Sequence, residues 1–304
     1  MSVSMMAIII LFGMLIGRRL EINFEAKRLL MMIIINIAVP AIIFNGIFNT
    51  KISDELLGNM LAIFIISIVL NMIGIGLGWL VARLFGFRSL KARKIAILAG
   101  IGNTGFIGIP LCAQIFGPTG GLLAAIFDAG LDVVVFTLVI MLLQQGEALS
   151  LRQFKAVFNI PVMAIMAGII IAVIGYEPPM IAKELTATLA NLAAPLAMIY
   201  VGLLIPNFYK QKKKTSLRFV SIPLVMKLLV FPFMMIALLQ VLPLTSEVKQ
   251  VAFIQVSMPT FMLATVLFAR YADDEDTAVM TTVYSTLLSL LTIPFIAYVV
   301  SVLI

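Results

Sequence analysis

The chain has 304 residues, 62% of them hydrophobic and 12% charged, against about half and a quarter in a soluble domain. A mean hydropathy of +1.17 over the full length leaves no stretch for a separate soluble domain, and ten helical crossings of roughly 20 residues each would leave about 100 for connections. With no histidine, one cysteine (Cys112) and a net charge of +7, the chain excludes His-based triads, zinc and haem sites and disulfide frameworks, and its charge reads first as a topology signal.

Hydropathy and turn residues predict ten spans, at about 3–20, 28–49, 57–82, 93–116, 119–144, 154–175, 182–205, 217–242, 247–270 and 277–302. No basic residue precedes Val3–Gly17 and no small-residue cleavage site follows it; Arg18 and Arg19 come directly after. That order fits a first span entering with its N-terminus outside, not a signal peptide. Seventeen of the 21 basic residues then fall in connections on the inner side. Lys51, Lys183 and Lys249 fall outside, and Lys227 within a span. Such a bias predicts a multi-pass protein of the cytoplasmic membrane with both termini outward. The basic run Lys210–Lys214 reads as an anchor for anionic lipid headgroups, since it lacks the aromatic interleaving of a nucleic-acid patch. The acidic run Asp273–Asp276 reads as complementing the N-terminal dipole of the last helix.

Along the spans, Asn36-Ile-Ala-Val-Pro40 in the second recurs as Asn191-Leu-Ala-Ala-Pro195 in the seventh. Pro110 in the fourth is matched by Pro259 in the ninth. The chain therefore reads as one membrane domain, 1–304, made of two five-span halves, 1–145 and 152–304. Five is odd, so the halves have opposite topology, an arrangement common in secondary transporters. Gly74, Gly76 and Gly78 in span 3 have no polar company and predict close helix packing.

Span 4 reads Gly100-Ile-Gly-Asn103-Thr104-Gly105-Phe-Ile-Gly108-Ile-Pro110, a run of poor helix propagators. Span 9 offers a corresponding patch of Gln255, Ser257, Pro259 and Thr260. Broken backbone at membrane depth is tolerated where protein or a water-filled cavity surrounds it, and a matched pair points to a midplane binding site. The opened helix N-termini would suit an anion. The bland alternative is a pair of proline kinks with small residues at helix contacts.

Asp128 and Asp132 lie one turn apart on span 5, and each costs roughly 2.5–3.5 kcal/mol at a helix centre. Close carboxylates do not ionise independently, which suits proton coupling; alternatively they could bind Na⁺. Lys227 could neutralise one of them, attract a carboxylate substrate, or be purely structural. An intramembrane aspartyl protease is disfavoured, because its two carboxylates must come from facing helices. No enzyme, metal site or resident cofactor is expected beyond a coupling H⁺ or Na⁺.

The stretch Asn103–Pro110, with Gln255-Val-Ser-Met-Pro259, Tyr271 and Pro294, resembles the auxin efflux carrier family in its short bacterial form, which includes malate and malonate permeases. Lys227 followed by Pro232 is similar to a basic-residue-then-Pro pattern of plant members. The resemblance covers the whole chain. It implies an all-α protein of ten transmembrane helices in two inverted five-helix repeats, with helices 4 and 9 broken and crossing, as in bile-acid transporters and sodium–proton antiporters. Helices 1, 2, 6 and 7 would form a scaffold carrying Asn36, Pro40, Asn191 and Pro195, and helices 3–5 and 8–10 a transport domain. It further implies elevator-type transport of an organic anion and a homodimer. Carried over by position, Asn103 and the crossover backbone around Pro110 and Pro259 would contact substrate. The connector Gln145–Arg152 is short, so the long cytoplasmic loop of plant carriers is absent, and with it any reason to prefer auxin.

The residues thus predict a transporter of a small organic carboxylate. Its binding set would be Asn103, Thr104, Gly105, Pro110, Gln255, Ser257, Pro259, Thr260 and Lys227, with Asp128 and Asp132 as coupling groups. A sodium-coupled carrier of bile-acid-transporter architecture and a membrane sensor that binds without transporting are the rival readings. The expected partners are the anion and membrane lipid, with no nucleic acid.

Overall fold

A computed structural model of the chain describes residues 3–20, 22–50, 53–144, 157–210 and 217–303. Their regular structure is helical: α1 Val3–Arg19, α2 Phe24–Ile33, α3 Val39–Asn49, α4 Asp54–Leu84, α5 Ser89–Gly100, α6 Ile109–Val134, α7 Ile140–Leu143, α8 Ile160–Val173, α9 Met180–Ala190, α10 Ala193–Lys210, α11 Leu217–Val225, α12 Phe231–Val241, α13 Ser246–Val256, α14 Leu263–Tyr271 and α15 Glu275–Leu303. Among the described residues, six stretches are long and apolar enough to cross a membrane: Glu25–Asn49, Asp54–Leu84, Thr104–Leu143, which is kinked at Gly117, Met180–Pro206, Phe219–Val241 and Glu275–Ile296. The protein is an all-helical, polytopic membrane protein. The basic run at Lys210–Lys214, beyond the backbone of Lys210, and the connector Gln145–Arg152 lie outside the described residues.

Short π-helical turns join several of these helices, and three have one cause. Ile34–Ala38, Thr104–Gly108 and Met226–Val230 each end two residues before a proline: Pro40, Pro110 and Pro232. A proline ring collides with the carbonyl four residues back and offers no N–H. Widening that turn by one residue accommodates the ring without breaking the helix. The fourth π-helical turn, Val135–Val139, has no such proline. There Thr137 Oγ1 donates to Val133 O at 2.5 Å, a hydroxyl inserted into the ladder. At Pro195 the accommodation fails: its fourth-back residue is Asn191, where α9 ends and a turn at Asn191–Leu192 precedes α10. The seventh span, expected at 182–205, falls within the stretch Met180–Pro206 and carries an irregular turn at Asn191–Leu192.

The chain forms two compact units. The first comprises Met1–Ile63, Thr104–Ala129 and Phe158–Gln211. In it α1 lies against α10 through glycine: a Cβ on Gly13 would overlap Ile199 O, and one on Gly202 would overlap Ile10 O. In the same unit α3 packs on α8, with Gly168 seated on Ile47, and Gly46 approaches Pro118 O and Leu122. Small residues set helix separation where lipid supplies no hydrophobic drive.

The second unit comprises Phe64–Asn103, Gly130–Val157 and Lys212–Ile304. Its core packs Ile97, Leu98, Leu131, Val135, Phe261, Phe268 and Ala278 together. A Cβ at Gly74 would stand 2.6 Å from Phe231 Cζ, one at Gly78 3.0 Å from Ala96 Cα, and one at Gly100 2.5 Å from Ile75 N. Gly74 and Gly78 thus serve close packing of α4, as expected. Gly76 meets nothing within 4 Å; two residues from each neighbour, it points to a different side of the helix. The acidic run also divides its roles. Glu275 and Asp276 occupy the first turn of α15, whereas Asp274 pairs with Lys94 Nζ at 2.8 Å.

Candidate functional site

In the second unit the two broken spans cross. Helix α5 ends at Gly100 and α13 at Val256. The extended residues beyond them pair antiparallel, with a bridge between Gly102 and Thr260. Asn103 N donates to Pro259 O at 2.7 Å and Phe261 N to Ile101 O at 3.4 Å. Breaking a helix strands its terminal carbonyls, and buried polar backbone must find partners. Here they do. Leu98 O accepts from Thr260 Oγ1 at 3.0 Å, and Phe253 O from Ser257 Oγ at 2.7 Å. Thr260 N donates to Ser285 Oγ at 3.1 Å.

Lys227 reaches this crossing from the π-helical turn before α12 and is 1% exposed. Its Nζ donates to Gly100 O at 3.3 Å and Val256 O at 3.1 Å, the last residues of the two interrupted helices. It also stands 5.2 Å from the Phe231 ring centroid, a cation–π separation. A Cβ at Gly102 would lie 3.0 Å from this ammonium, so any larger residue would crowd it. Asn103 is buried, and its Nδ2 has no acceptor among the described residues. An unsatisfied buried amide costs about 1–3 kcal/mol and calls for an acceptor such as a carboxylate oxygen.

In the first unit, the chain after Asn103 starts a new helix at Thr104 with the π-helical turn Thr104–Gly108. Thr104 Oγ1 donates to Asp128 Oδ1. A Cβ at Gly105 would stand 2.7 Å from Asp128 Oδ2 and 3.1 Å from Oδ1. The carboxylate of Asp128 therefore lies against the start of this half-helix, the favourable end for a negative charge. The turn also packs on α10, where Phe106 meets Tyr200 edge-on at 4.8 Å between centroids. Pro110 is buried one turn further on. Asn36 and Asn191 mark irregular turns in this unit, and both are exposed.

The expected residues thus fall into two sets. Asn103, Gln255, Ser257, Pro259, Thr260 and Lys227 meet in the second unit; Thr104, Gly105 and Asp128 meet in the first. Asp132, half-buried, follows Asp128 by four residues on α6, and the boundary between units at Ala129–Gly130 falls between them.

A family model described as membrane transport protein matches residues 1–297. The chain belongs to the auxin efflux carrier family. It is a membrane transporter, not an enzyme. An uncharacterized transporter of Methanothermobacter thermautotrophicus is 28% identical over 295 residues, covering 96% of this chain and 95% of that one. Another from Methanocaldococcus jannaschii is 26% identical over 257 residues, 82% of each chain.

One set of residues in this family member escaped the sequence reading. Thr277, Thr281, Thr282, Ser285, Thr286 and Ser289 of α15 are all buried. Ser285 supports the crossing at Thr260 N, and Thr282 Oγ1 donates to Phe261 O at 3.4 Å. Their spacing of three and four is a helical stripe. A hydroxyl stripe within an apolar span was the available signal.

Proposed function

We propose that this carrier moves a small organic anion across the cytoplasmic membrane by alternating access, with the anion bound at the crossing of the two interrupted spans. The observation that carries the reading is Asn103: a buried amide whose Nδ2 has no acceptor among the described residues, held by its own backbone bond to Pro259 O. A carboxylate oxygen supplies the acceptor, and Ser257 and Thr260 line the same crossing. Support for the wider architecture comes from the repeated Asn-x-Ala-x-Pro segments, each at a helix irregularity. The proposed arrangement has ten crossings in two inverted five-span halves, with termini outside. Spans 1, 2, 6 and 7 form a scaffold, spans 3–5 and 8–10 a moving domain, and two chains a dimer. Asp128, bonded to Thr104 at the restart of span 4, carries the coupling proton, with Asp132 beside it on the helix. An elevator movement is the family expectation for such a division.

The test is reconstitution in vesicles and current recording on a solid-supported membrane during perfusion of malate, malonate, succinate, lactate and an indole acid. A substrate-specific current that responds to a pH gradient is expected. Loss of that current in the Asp128→Asn/Asp132→Asn double variant assigns coupling to α6; a surviving, pH-driven current removes it from these residues. Ligand-induced thermal stabilisation without flux for any acid would overturn the transporter mechanism in favour of a sensor.

A further inference from the structure

We infer that Ser285 and Thr282 of α15 are positioning residues for anion recognition: they hold the span-9 strand of the crossing in the register that sets Asn103. The inference rests on the crossing proposed above as the binding site, and its own ground is the outer edge of that crossing. The two extended segments make a pairing only two strands wide. In an antiparallel pair, alternate residues turn their N–H and C=O to opposite edges. Pro259 O and Phe261 N face the span-4 segment, where they meet Asn103 N at 2.7 Å and Ile101 O at 3.4 Å. Thr260, bridged to Gly102 between them, therefore turns its own N–H to the opposite edge. In water such an edge is solvated; at membrane depth its backbone groups need partners from the protein.

Helix α15 supplies those partners where a third strand would otherwise lie. Thr260 N donates to Ser285 Oγ at 3.1 Å, and Thr282 Oγ1 donates to Phe261 O at 3.4 Å. One hydroxyl acts as acceptor and the other as donor, three residues apart and so on one helix face. Ser285 Oγ donates its own proton to Thr282 O at 3.0 Å, which leaves its lone pairs for Thr260. Thr260, Thr282 and Ser285 are at most 3% exposed, so water does not compete for these bonds. Thr260 is gripped by its side chain as well, because its Oγ1 donates to Leu98 O at 3.0 Å. The linkage runs from Ser285 to Thr260, through one peptide to Pro259 O, and from there to the backbone of Asn103. On this reading neither hydroxyl of α15 touches the anion; both act through the strand. Ser289 serves as the internal control, since its Oγ donates within its own helix, to Thr286 O at 2.7 Å.

The experiment is a double-mutant cycle between Ser285→Ala and Asn103→Ala, with Ser285→Thr and Ser289→Ala alongside. Affinity for malate, malonate, succinate and lactate is read from the rise in melting midpoint as each is titrated. Hydrogen–deuterium exchange follows the Asn103 backbone N–H relative to the amides of α4. Ser285→Ala is expected to weaken affinity about five- to thirtyfold, the scale of one displaced hydrogen bond, with Ser285→Thr recovering most of the loss. In the Asn103→Ala background, Ser285→Ala should leave affinity where it was. It should still lower the unliganded midpoint, because Thr260 N–H is stranded in either background. Exchange at Asn103 should accelerate by about tenfold in Ser285→Ala and keep the wild-type rate in Ser289→Ala. Affinity losses that multiply, unmoved exchange at Asn103, or equal acceleration in Ser289→Ala would each overturn the inference. If Ser285→Ala yields no folded protein, Thr282→Val goes through the same cycle, keeping the side-chain shape while removing the donor to Phe261 O. A wild type that no acid stabilises sinks the proposed function alone, and exchange at Asn103 then decides the role of Ser285 and Thr282.

Discussion

Replacing Asn103 by Ala removes one amide and leaves the backbone pairing of the crossing intact, because that pairing runs through Asn103 N and Ile101 O. A hydrogen bond to a charged group contributes about 1.5–3 kcal/mol, so substrate affinity should fall by about 10- to 150-fold. The thermal midpoint should fall little, or rise, since a buried donor without a protein acceptor is lost. Binding and melting measured on one preparation check both halves of this expectation. Gly105→Ala acts from the other side of the break. Its Cβ would stand 2.7 Å from Asp128 Oδ2, closer than such contacts allow, and would push the carboxylate off Thr104. Folded protein with lost proton-driven current is the expected outcome, measured by size-exclusion profile and solid-supported-membrane recording.

Helix α4 offers an internal control. Gly→Ala in a helix interior gains up to about 1 kcal/mol in propensity, yet overpacking a tight contact costs about 1–3 kcal/mol. Gly76 faces open space, so Gly76→Ala should leave the melting midpoint unchanged or raise it. Gly78 lies against Ala96 and Ala99 backbone and side chain, so Gly78→Ala should lower it. Equal responses of the two variants would deny that α4 packs through one glycine face. On α15, Ser285→Ala removes the acceptor of Thr260 N–H. A stranded buried donor costs about 1–3 kcal/mol, and the midpoint should drop accordingly, with Ser285→Thr closer to wild type.

Across the whole molecule, large apolar side chains such as Leu61, Val69, Val266 and Leu291 are 47–76% exposed. In water this would drive aggregation; in a bilayer it is the lipid-facing surface. The basic bias predicts orientation: the connection expected on the inner side carries Arg83, Arg88, Lys91, Arg93 and Lys94, while the connection around Glu177 has only Lys183 at its edge. In a Cys112→Ala background, Glu177→Cys should react with an impermeant maleimide from outside intact cells. Lys91→Cys should react only after permeabilisation. Both positions are exposed, so access to the thiol does not confuse the result, and reversed labelling would invert the topology.

Composition and pattern by themselves determine that this protein lives in a membrane, that its spans are helical, and that two of them break. Those properties are local. Apolar runs have nowhere else to go, and Gly100–Pro110 cannot propagate a straight helix whatever surrounds it. The candidate residues Asn103, Thr260 and Pro259 were legible for the same reason, as polar and helix-breaking groups at apolar depth. The role of Lys227 was not. Neutralising an aspartate, attracting a substrate and a purely structural role were all open, because the carbonyls it meets lie 127 and 29 residues away. The hydroxyl stripe of α15 was readable as a pattern, but its link to Thr260 N was not. Only tertiary structure decides which helix ends converge, since a stranded carbonyl accepts from any donor that folding brings within 3 Å or so. The same holds for Asp128: its charge is written in the sequence, and its seat against Thr104 and Gly105 is set by how the part of α6 beyond its kink at Gly117 packs back on the restarted helix.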